Sequence, residues 1–456
     1  MAVVEDLRER LLRVVPDERR VANGDSVLEQ HAGDLSYHAP HRPDVVVFPE
    51  STAEVAAVLE LADATGTPVV PFGAGTSLEG HVIPLEGGIS LDLTRMQAIL
   101  ALRPADLAAT VQPGVTRSQL EQAAGPHGLW FPVDPGADAT LGGMAATNAS
   151  GTTTVRYGGM RAHVLELEVV LAGGQVIRTG SRAVKTSAGY NLTNLFLGSE
   201  GTLGVITELT LRLHPIPDEI VVARAAFPSI DAACRAAAAM IGVGVPVTRC
   251  ELLDALTIAA LNAFSGTTFE ASPHLFVEFG GTSIDGDLAT TRELALDEGA
   301  TSFESESDPT ARAKMWSARH NALMASLALS PGSKAMTTDV AVPISELPGA
   351  IEHARRALEE TDLRGGVVGH VGDGNFHVAF LLDPDDADSI ERAERLNARI
   401  VEDALERGGT CTGEHGIGFG KLAYLEREHG DLVPLYRGLK TLFDPNGILN
   451  PGKAVP

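Results

Sequence analysis

Two imidazoles stand on either side of a Gly/Asp turn in the segment Gly369-His370-Val371-Gly372-Asp373-Gly374-Asn375-Phe376-His377. Strand-like residues flank it (VVG before, VAFLL after), so a hairpin is predicted whose neck brings His370 and His377 face to face. Two neutral imidazoles are good ligands for Zn, Mn or Fe, and a carboxylate would complete a facial set with open positions for substrate. Residues 410–418 (TCTGEHGIG) offer that carboxylate in Glu414, immediately beside a further imidazole, His415. A histidine at a hairpin neck is also an ordinary, satisfied polar residue. Four functional groups gathered in two Gly-rich loops favour a site.

A second set of residues offers backbone rather than side chains. Gly73-Ala74-Gly75-Thr76-Ser77-Leu78 begins like a dinucleotide fingerprint, but Leu78 stands where a third glycine should let helix and strand approach closely. The following LEGHVIPLEGG is a poor helix, because Pro84 and its glycines interrupt it, so no helix N-terminus is offered to a pyrophosphate. What remains is either a nest of backbone N–H groups suited to phosphate oxygens or a plain tight turn between strands. Further on, PGADATLGGMAATNASGTTTVRYGG is so rich in Gly, Ala, Ser and Thr that something bulky must fill the space beside its backbone.

The elements that position these groups follow from periodicity. DVVVFP reads as a buried strand, and Ser51 with Glu54 opens a capped helix with Val55, Val58, Leu59 and Ala62 on one face, ended by Gly66. Thr116 and Gln119 open a second capped helix that stops near Gly128. Residues 165–171 and 176–179 read as strands joined over Gly173-Gly174. Alternation from Val205 to Leu213 predicts a half-buried strand ending at Pro215. Pro215 and Pro217 mark a domain boundary, after which IVVARAAF, DAACRAAAAM, VTRCELLD, LFVEFG, a helix through Arg319 and TDVAVP suggest an open sheet covered by helices.

At 456 residues the chain exceeds one hydrophobic core, so two domains are expected. The expected division is 1–217, with its core at about 41–217, then 218–409 carrying the hairpin, and 410–456 returning to the first domain. A net charge of −25 argues against nucleic acid or an anionic membrane surface as partner, since both need clustered Lys and Arg. No apolar run is long enough for a transmembrane segment, and acids occupy the start where a signal peptide would be basic. Cys234, Cys250 and Cys411 lack CxxC spacing and fit reduced thiols, so a cytoplasmic address is expected.

PFGAGTSLEG, PGADATLGGMAATNASG and KTSAGYNLTNLFLGSEGTLGVITELTLRL resemble the three flavin-contacting blocks of the vanillyl-alcohol-oxidase-type, or PCMH-type, FAD proteins. The likeness covers nearly the whole chain, with its blocks in order. It implies an α+β fold: a PCMH-type FAD-binding domain of two subdomains, plus an α/β substrate (cap) domain with an antiparallel-type sheet covered by helices. It also implies that Pro71, Phe72, Gly73, Ala74, Gly75, Thr76 and Ser77 wrap the FAD pyrophosphate. Pro135, Gly136, Gly142, Gly143, Asn148, Gly151, Gly201, Gly204 and Ile206 would line the cofactor. Some members attach flavin covalently through a His near the first loop; here Thr76 and Ser77 fill that stretch and His81 lies beyond, so non-covalent FAD is expected.

GHVGDGNFH and GTCTGEHGIG resemble signature stretches of the D-lactate, glycolate and D-2-hydroxyglutarate dehydrogenase branch. By that match His370, His377 and Glu414 are ligands of a divalent metal, Zn or Mn, and His415 is the catalytic base. The cation lowers the cost of ionising a substrate hydroxyl, His415 takes the proton, and hydride passes from Cα to flavin N5. Arg319 in WSARHNA and Lys334 in GSKAMTTDV resemble the pair that holds the carboxylate of a small anionic 2-hydroxy acid; without the match Arg319 reads as a surface ion pair. Asn375 either contacts substrate or stabilises the turn. Lys421 reads as a solvated or helix-start residue. These two stretches and DPDDADSIERAERLN look most like cytochrome-type D-lactate dehydrogenases, with glycolate oxidase subunits second. Electrons would go to a cytochrome, a quinone or an electron-transfer flavoprotein, which would put the protein at the membrane periphery through its acceptor; a homodimer is one assembly to test. The alkyl-glycerone-phosphate synthases use a similar flavin domain without net redox chemistry and are not expected to carry the His/His/Glu-His set.

Overall fold

The computed structural model describes residues 2–383, 386 and 388–455. Pro384, Asp385 and Ala387, in the acidic motif, lie outside the described residues. The chain divides into two compact units: residues 1–150, 158–216 and 414–456 form the first, and 151–157 with 217–413 the second. Both helices and sheets contribute to each, which makes the class α+β.

The first unit holds two larger sheets and a short two-stranded pairing of Leu129–Trp130 with His214–Pro215. In one, Val45–Val47, Ile89–Asp92 and Val69–Phe72 run parallel, with Val21–Ala22 antiparallel at an edge. The helix Thr52–Thr65 buries Val55, Val58, Leu59 and Ala62 in the same core as these strands; Ser51 caps it by accepting from the Glu54 N–H, and Gly66 ends it in the left-handed conformation. The C-terminal segment adds to the edge: Val69 N–H donates to Ile448 O and Asn450 N–H to Val69 O. The other sheet is antiparallel, in the order Ile99–Arg103, Ala108–Val111, Val205–Arg212, Val164–Val170, Val176–Gly180.

The strand Val205–Arg212 corrects the half-buried expectation. Thr207, which the alternation places inside, is buried and donates to buried Glu168, which also accepts from Thr52 and Arg178. Ile206 and Thr210 on the other side are buried as well, with the Thr210 and Thr110 hydroxyls 3.0 Å apart, because alternation reports polarity and not exposure.

The second unit is built on one antiparallel sheet ordered Ser302–Glu306, Glu219–Ala226, His274–Gly281, Arg249–Leu253, Arg364–His370, Asn375–Leu382, Lys334–Thr337, with Val340–Ala341 also pairing with Asn375–Leu382. Leu253, Phe276 and Val222 on this sheet pack with Ile258, Leu261, Trp316 and Ala325 of the covering helices. His370 and His377 lie on two central strands of that sheet, so their backbone is held from both sides.

A histidine pair in the first unit sets part of its acid response. His163 Nδ1–H donates to Gly159 O, and its Nε2 lies 3.2 Å from Nε2 of His214. Burial pushes both imidazoles down, His214 to about 4, and neighbouring Arg212 adds to it. Since the unfolded value is about 6.5, the unfolded chain takes up protons first as pH falls, and stability present above that value is lost towards the folded one. The melting temperature is expected to drop between about pH 6.5 and the lower folded value, with a shallower drop in His214→Asn. An unchanged slope in that variant would assign the acid lability to other groups.

Candidate functional site

The hairpin forms as the strand residues flanking the Gly/Asp turn predict, in a register that refines the meeting of its histidines. Arg364–His370 pairs with Asn375–Leu382 so that His370 is opposite Asn375 and Val368 opposite His377. The two imidazoles therefore share a face on a diagonal rather than sitting directly opposite. Their ring centroids are 5.5 Å apart with planes at 86°, and a ligand nitrogen of one lies within 4.8 Å of a ligand nitrogen of the other. The turn needs Gly374, whose φ is +86° and whose Cβ position lies 2.1 Å from Val342 O.

Each imidazole has its Nδ1 occupied. His377 Nδ1–H donates to Thr338 O at 2.9 Å, and His370 Nδ1 lies 2.8 and 2.9 Å from the two oxygens of Glu251. An imidazole whose Nδ1 carries the proton presents Nε2 as the lone-pair donor, which is the form a cation needs. Both side chains are buried, as is Glu251.

Glu251 also receives Arg319, whose Nε and one Nη donate to Oε2 at 2.9 and 2.5 Å. Burial alone would push this carboxyl up, but His370 and Arg319 outweigh it and hold it below the ordinary carboxylate range. Arg319 is thus no surface ion pair; it closes the helix Pro309–His320 with its side chain 11% exposed. Lys334 opens the strand Lys334–Thr337 and is exposed. Glu251 escapes sequence reading because CELL reads as an apolar strand; its one signal is a charge inside that run.

Asn375 is committed to the turn. Its amide donates to Asp339 Oδ1 at 2.9 Å and to Val340 O at 2.8 Å. Asp339, fully buried, accepts in turn from the Thr412 hydroxyl at 2.7 Å, and a Cβ on Gly413 would lie 2.1 Å from the Asn375 amide nitrogen. The 410–413 loop therefore packs on the hairpin, and the next residue in the chain is Glu414.

Glu414 and His415 open the returning segment of the first unit. His415 Nδ1 is 3.6 Å from Glu79 Oε1, and Lys421 Nζ is 3.1 Å from the same oxygen. Burial works against charge on Glu79, yet Lys421 and His415 keep it below the usual carboxylate value. Lys421 does precede the helix Leu422–His429, but it is 2% exposed rather than solvated, because it neutralises Glu79. Nearby, Glu200 accepts from the N–H groups of Ile417 and Gly418 at 2.7 and 2.8 Å and lies 3.3 Å from His81 Nε2. Burial pulls the His81 pKa down, but Glu200 raises it overall. His81 Nδ1 has no hydrogen-bond partner among the described residues. Lys453 donates to Asn450 and is lowered to about 8 by burial. Sequence reading noted these loops without singling out Glu200 or Lys453.

The glycine-rich loops fit a cofactor laid against backbone. Pro71 and Phe72 end a strand, and the N–H groups of Ala74, Gly75, Thr76 and Ser77 donate to no group among the described residues, with Gly75 at φ +67°. Gly142 and Gly143 lie in the helix Leu141–Thr147, which Asn148 ends in the left-handed conformation. The Gly143 N–H is taken by Thr140 Oγ1, so it is not a free donor. Gly201 and Gly204 approach Pro71 and Val169 within 2.9 and 2.5 Å of their Cβ positions, and Ile206 is buried in its strand. Pro135 and Gly136 precede this helix, with open space at the Gly136 Cβ position, whereas Gly151 falls in the second unit.

Residues 216–454 match the family described as FAD linked oxidases, C-terminal domain, and residues 43–180 match the FAD binding domain. A probable mitochondrial D-lactate dehydrogenase of Danio rerio is 47% identical over 449 residues, covering 97% of this chain and 90% of that protein. A mitochondrial D-lactate dehydrogenase [cytochrome] of Arabidopsis thaliana is 44% identical over 425 residues, 92% of this chain and 75% of that one. Glycolate oxidase subunit GlcD of Bacillus subtilis is 34% identical, covering 99% and 97%. Among solved structures, 4-ethylphenol oxidase from Gulosibacter chungangensis matches with a TM-score of 0.82 at 20% identity over 99% of this chain and 97% of that one. An alkyldihydroxyacetonephosphate synthase matches with a TM-score of 0.77 at 20% identity over 97% and 84%. These likenesses establish the fold as that of PCMH/VAO-type flavoenzymes.

The Thr412 hydroxyl yields a direct test of how the hairpin holds its neighbouring loop. Thr412→Val keeps the shape but removes a donor to buried Asp339, and is expected to cost about 1–3 kcal/mol in denaturant unfolding. Thr412→Ser should stay near the parent. Equal stability of all three would mean that the contact does not anchor the loop.

Proposed function

Because the chain belongs to the FAD-linked oxidases, we propose that it oxidises a small D-2-hydroxy acid, D-lactate foremost, to the 2-oxo acid. FAD is held without a covalent bond, and His370, His377 and Glu414 hold a divalent cation, Zn or Mn. The observation that carries the reading is the pair of buried imidazoles, each with Nδ1 occupied and a ligand nitrogen within 4.8 Å of the other's. Glu414 follows Gly413, which packs on the same hairpin, and chain continuity supports its choice as third ligand.

When bound, the flavin supplies a hydride acceptor and the cation lowers the cost of ionising the substrate hydroxyl. His415 accepts the hydroxyl proton, and Glu79 beside its Nδ1 stabilises the charge it gains. Arg319 offers its remaining guanidinium edge to the substrate carboxylate, with Lys334 as partner. The N–H groups of Ala74 to Ser77, which donate to no group among the described residues, would donate to phosphate oxygens of FAD.

D-Lactate is preferred over glycolate because two relatives named D-lactate dehydrogenases share 47% and 44% identity with this chain, against 34–36% for glycolate oxidase subunits. D-2-Hydroxyglutarate would need further cationic contacts for its second carboxylate. A non-redox synthase role rests on fold likeness alone and leaves the His/His/Glu-His set without a task. A cytochrome is the proposed acceptor, with quinone and electron-transfer flavoprotein as alternatives. No described helix is long and apolar enough to cross a membrane. The cytoplasmic address stands as a proposal beside relatives named mitochondrial.

Anaerobic mixing tests the reading. D-Lactate should bleach the flavin, glycolate should do so more slowly, and L-lactate should not; chelation should abolish bleaching and added Mn or Zn restore it. His377→Ala should slow reduction at least about 100-fold, the scale of a lost catalytic group. Parent-rate bleaching after chelation would remove the metal from the mechanism, and equal rates for L-lactate would remove the stereochemical claim. Acid precipitation should leave the yellow colour in the supernatant; a yellow pellet would mean covalent flavin.

A further inference from the structure

We propose that Glu251 is a positioning residue that fixes His370 for metal binding and ties it, through the same carboxylate, to Arg319; this rests on the reading of His370 as a ligand. The strand Arg249–Leu253 pairs with Arg364–His370, with Leu252 opposite Gly369, so the residues one step beyond on each strand, Glu251 and His370, are cross-strand neighbours on a rigid sheet. His370 Nδ1 lies 2.8 Å from Oε1 and 2.9 Å from Oε2. Arg319 directs both of its contacts, at 2.9 and 2.5 Å, to Oε2.

That sharing is unlike an ordinary buried Arg–Glu pair. A guanidinium free to choose takes both carboxylate oxygens in a parallel fork. Here it takes one, and the imidazole is placed against both. A fully buried carboxylate is costly unless every partner is well placed, so its presence between the buried Cys250 and Leu252 calls for a role that an apolar residue would not fill. A carboxylate acceptor on Nδ1 fixes the tautomer, locks the ring and raises the basicity of Nε2 more than a carbonyl does. His377, held by the Thr338 carbonyl, has only the weaker form of this support. Arg319 in turn gives Oε2 a cationic partner of its own, with two contacts to that oxygen.

The experiment uses the FAD-loaded full chain, stripped of metal and titrated with Mn(II) against a chromogenic chelator. Glu251→Gln is expected to weaken Mn(II) binding by about 10- to 100-fold, the usual effect of removing an outer partner of a ligand histidine, with FAD content unchanged. His370→Ala serves as the reference for loss of the ligand itself. Parent affinity in Glu251→Gln together with weak binding in His370→Ala would overturn the positioning role and leave the metal reading standing. Parent affinity in His370→Ala would overturn that ligand's assignment and this proposal with it. Should Glu251→Gln not fold, the paired variant Glu251→Gln/Arg319→Met removes both charges together: weakened Mn(II) binding supports the role, and parent affinity overturns it.

Discussion

An imidazole can give a lone pair to a cation only if its other nitrogen carries the proton, and a buried N–H must have an acceptor. On the proposed metal reading, that constraint falls on two rings at once. His370 meets it with the Glu251 carboxylate on the strand Arg249–Leu253, and His377 with the Thr338 carbonyl in the short link between Lys334–Thr337 and Val340–Ala341. Much of the second unit follows from the need to keep those strands in register. Asn375 and Asp339 pin the turn, Gly374 lets the turn pass close to Val342, and the helix Pro309–His320 delivers Arg319 to neutralise the carboxylate.

The first unit solves a different problem with the same economy of polar groups. A pyrophosphate-bearing cofactor needs backbone donors and little side chain, and in the proposed reading the loop after Val69–Phe72 would supply both without a helix N-terminus. Buried ionisable groups of the first unit are arranged in opposed pairs, Glu79 with Lys421 and Glu200 with His81. Opposed charges let loops rich in glycine hold one conformation in a dry environment, where an isolated ion would be expensive.

Local pattern carried a good deal of this into the sequence. The caps at Ser51 and Thr116, the four-residue buried face of the first of those helices, the glycine turn at residues 173–174 and the histidine hairpin are all short-range features, decided by residues within one or two turns of one another. Glu251 was invisible because its partners lie 68 and 119 residues away, and nothing in an apolar strand says which distant cation will reach it. The same holds for Lys421, which looks solvated until Glu79 is brought beside it, and for Thr210, buried beside the Thr110 hydroxyl of a strand 100 residues away. The diagonal offset of His370 and His377 depends on register, which the turn sets and the sequence states only through spacing.

The central claim is that both hairpin imidazoles bind one divalent ion through Nε2. Pulsed EPR of the Mn(II)-loaded protein, with histidine nitrogen labelled, reads this directly as hyperfine coupling from directly bound imidazole nitrogens. Two such couplings are predicted in the parent and one in His377→Ala. A parent spectrum without nitrogen coupling, or one unchanged by that substitution, would contradict the account.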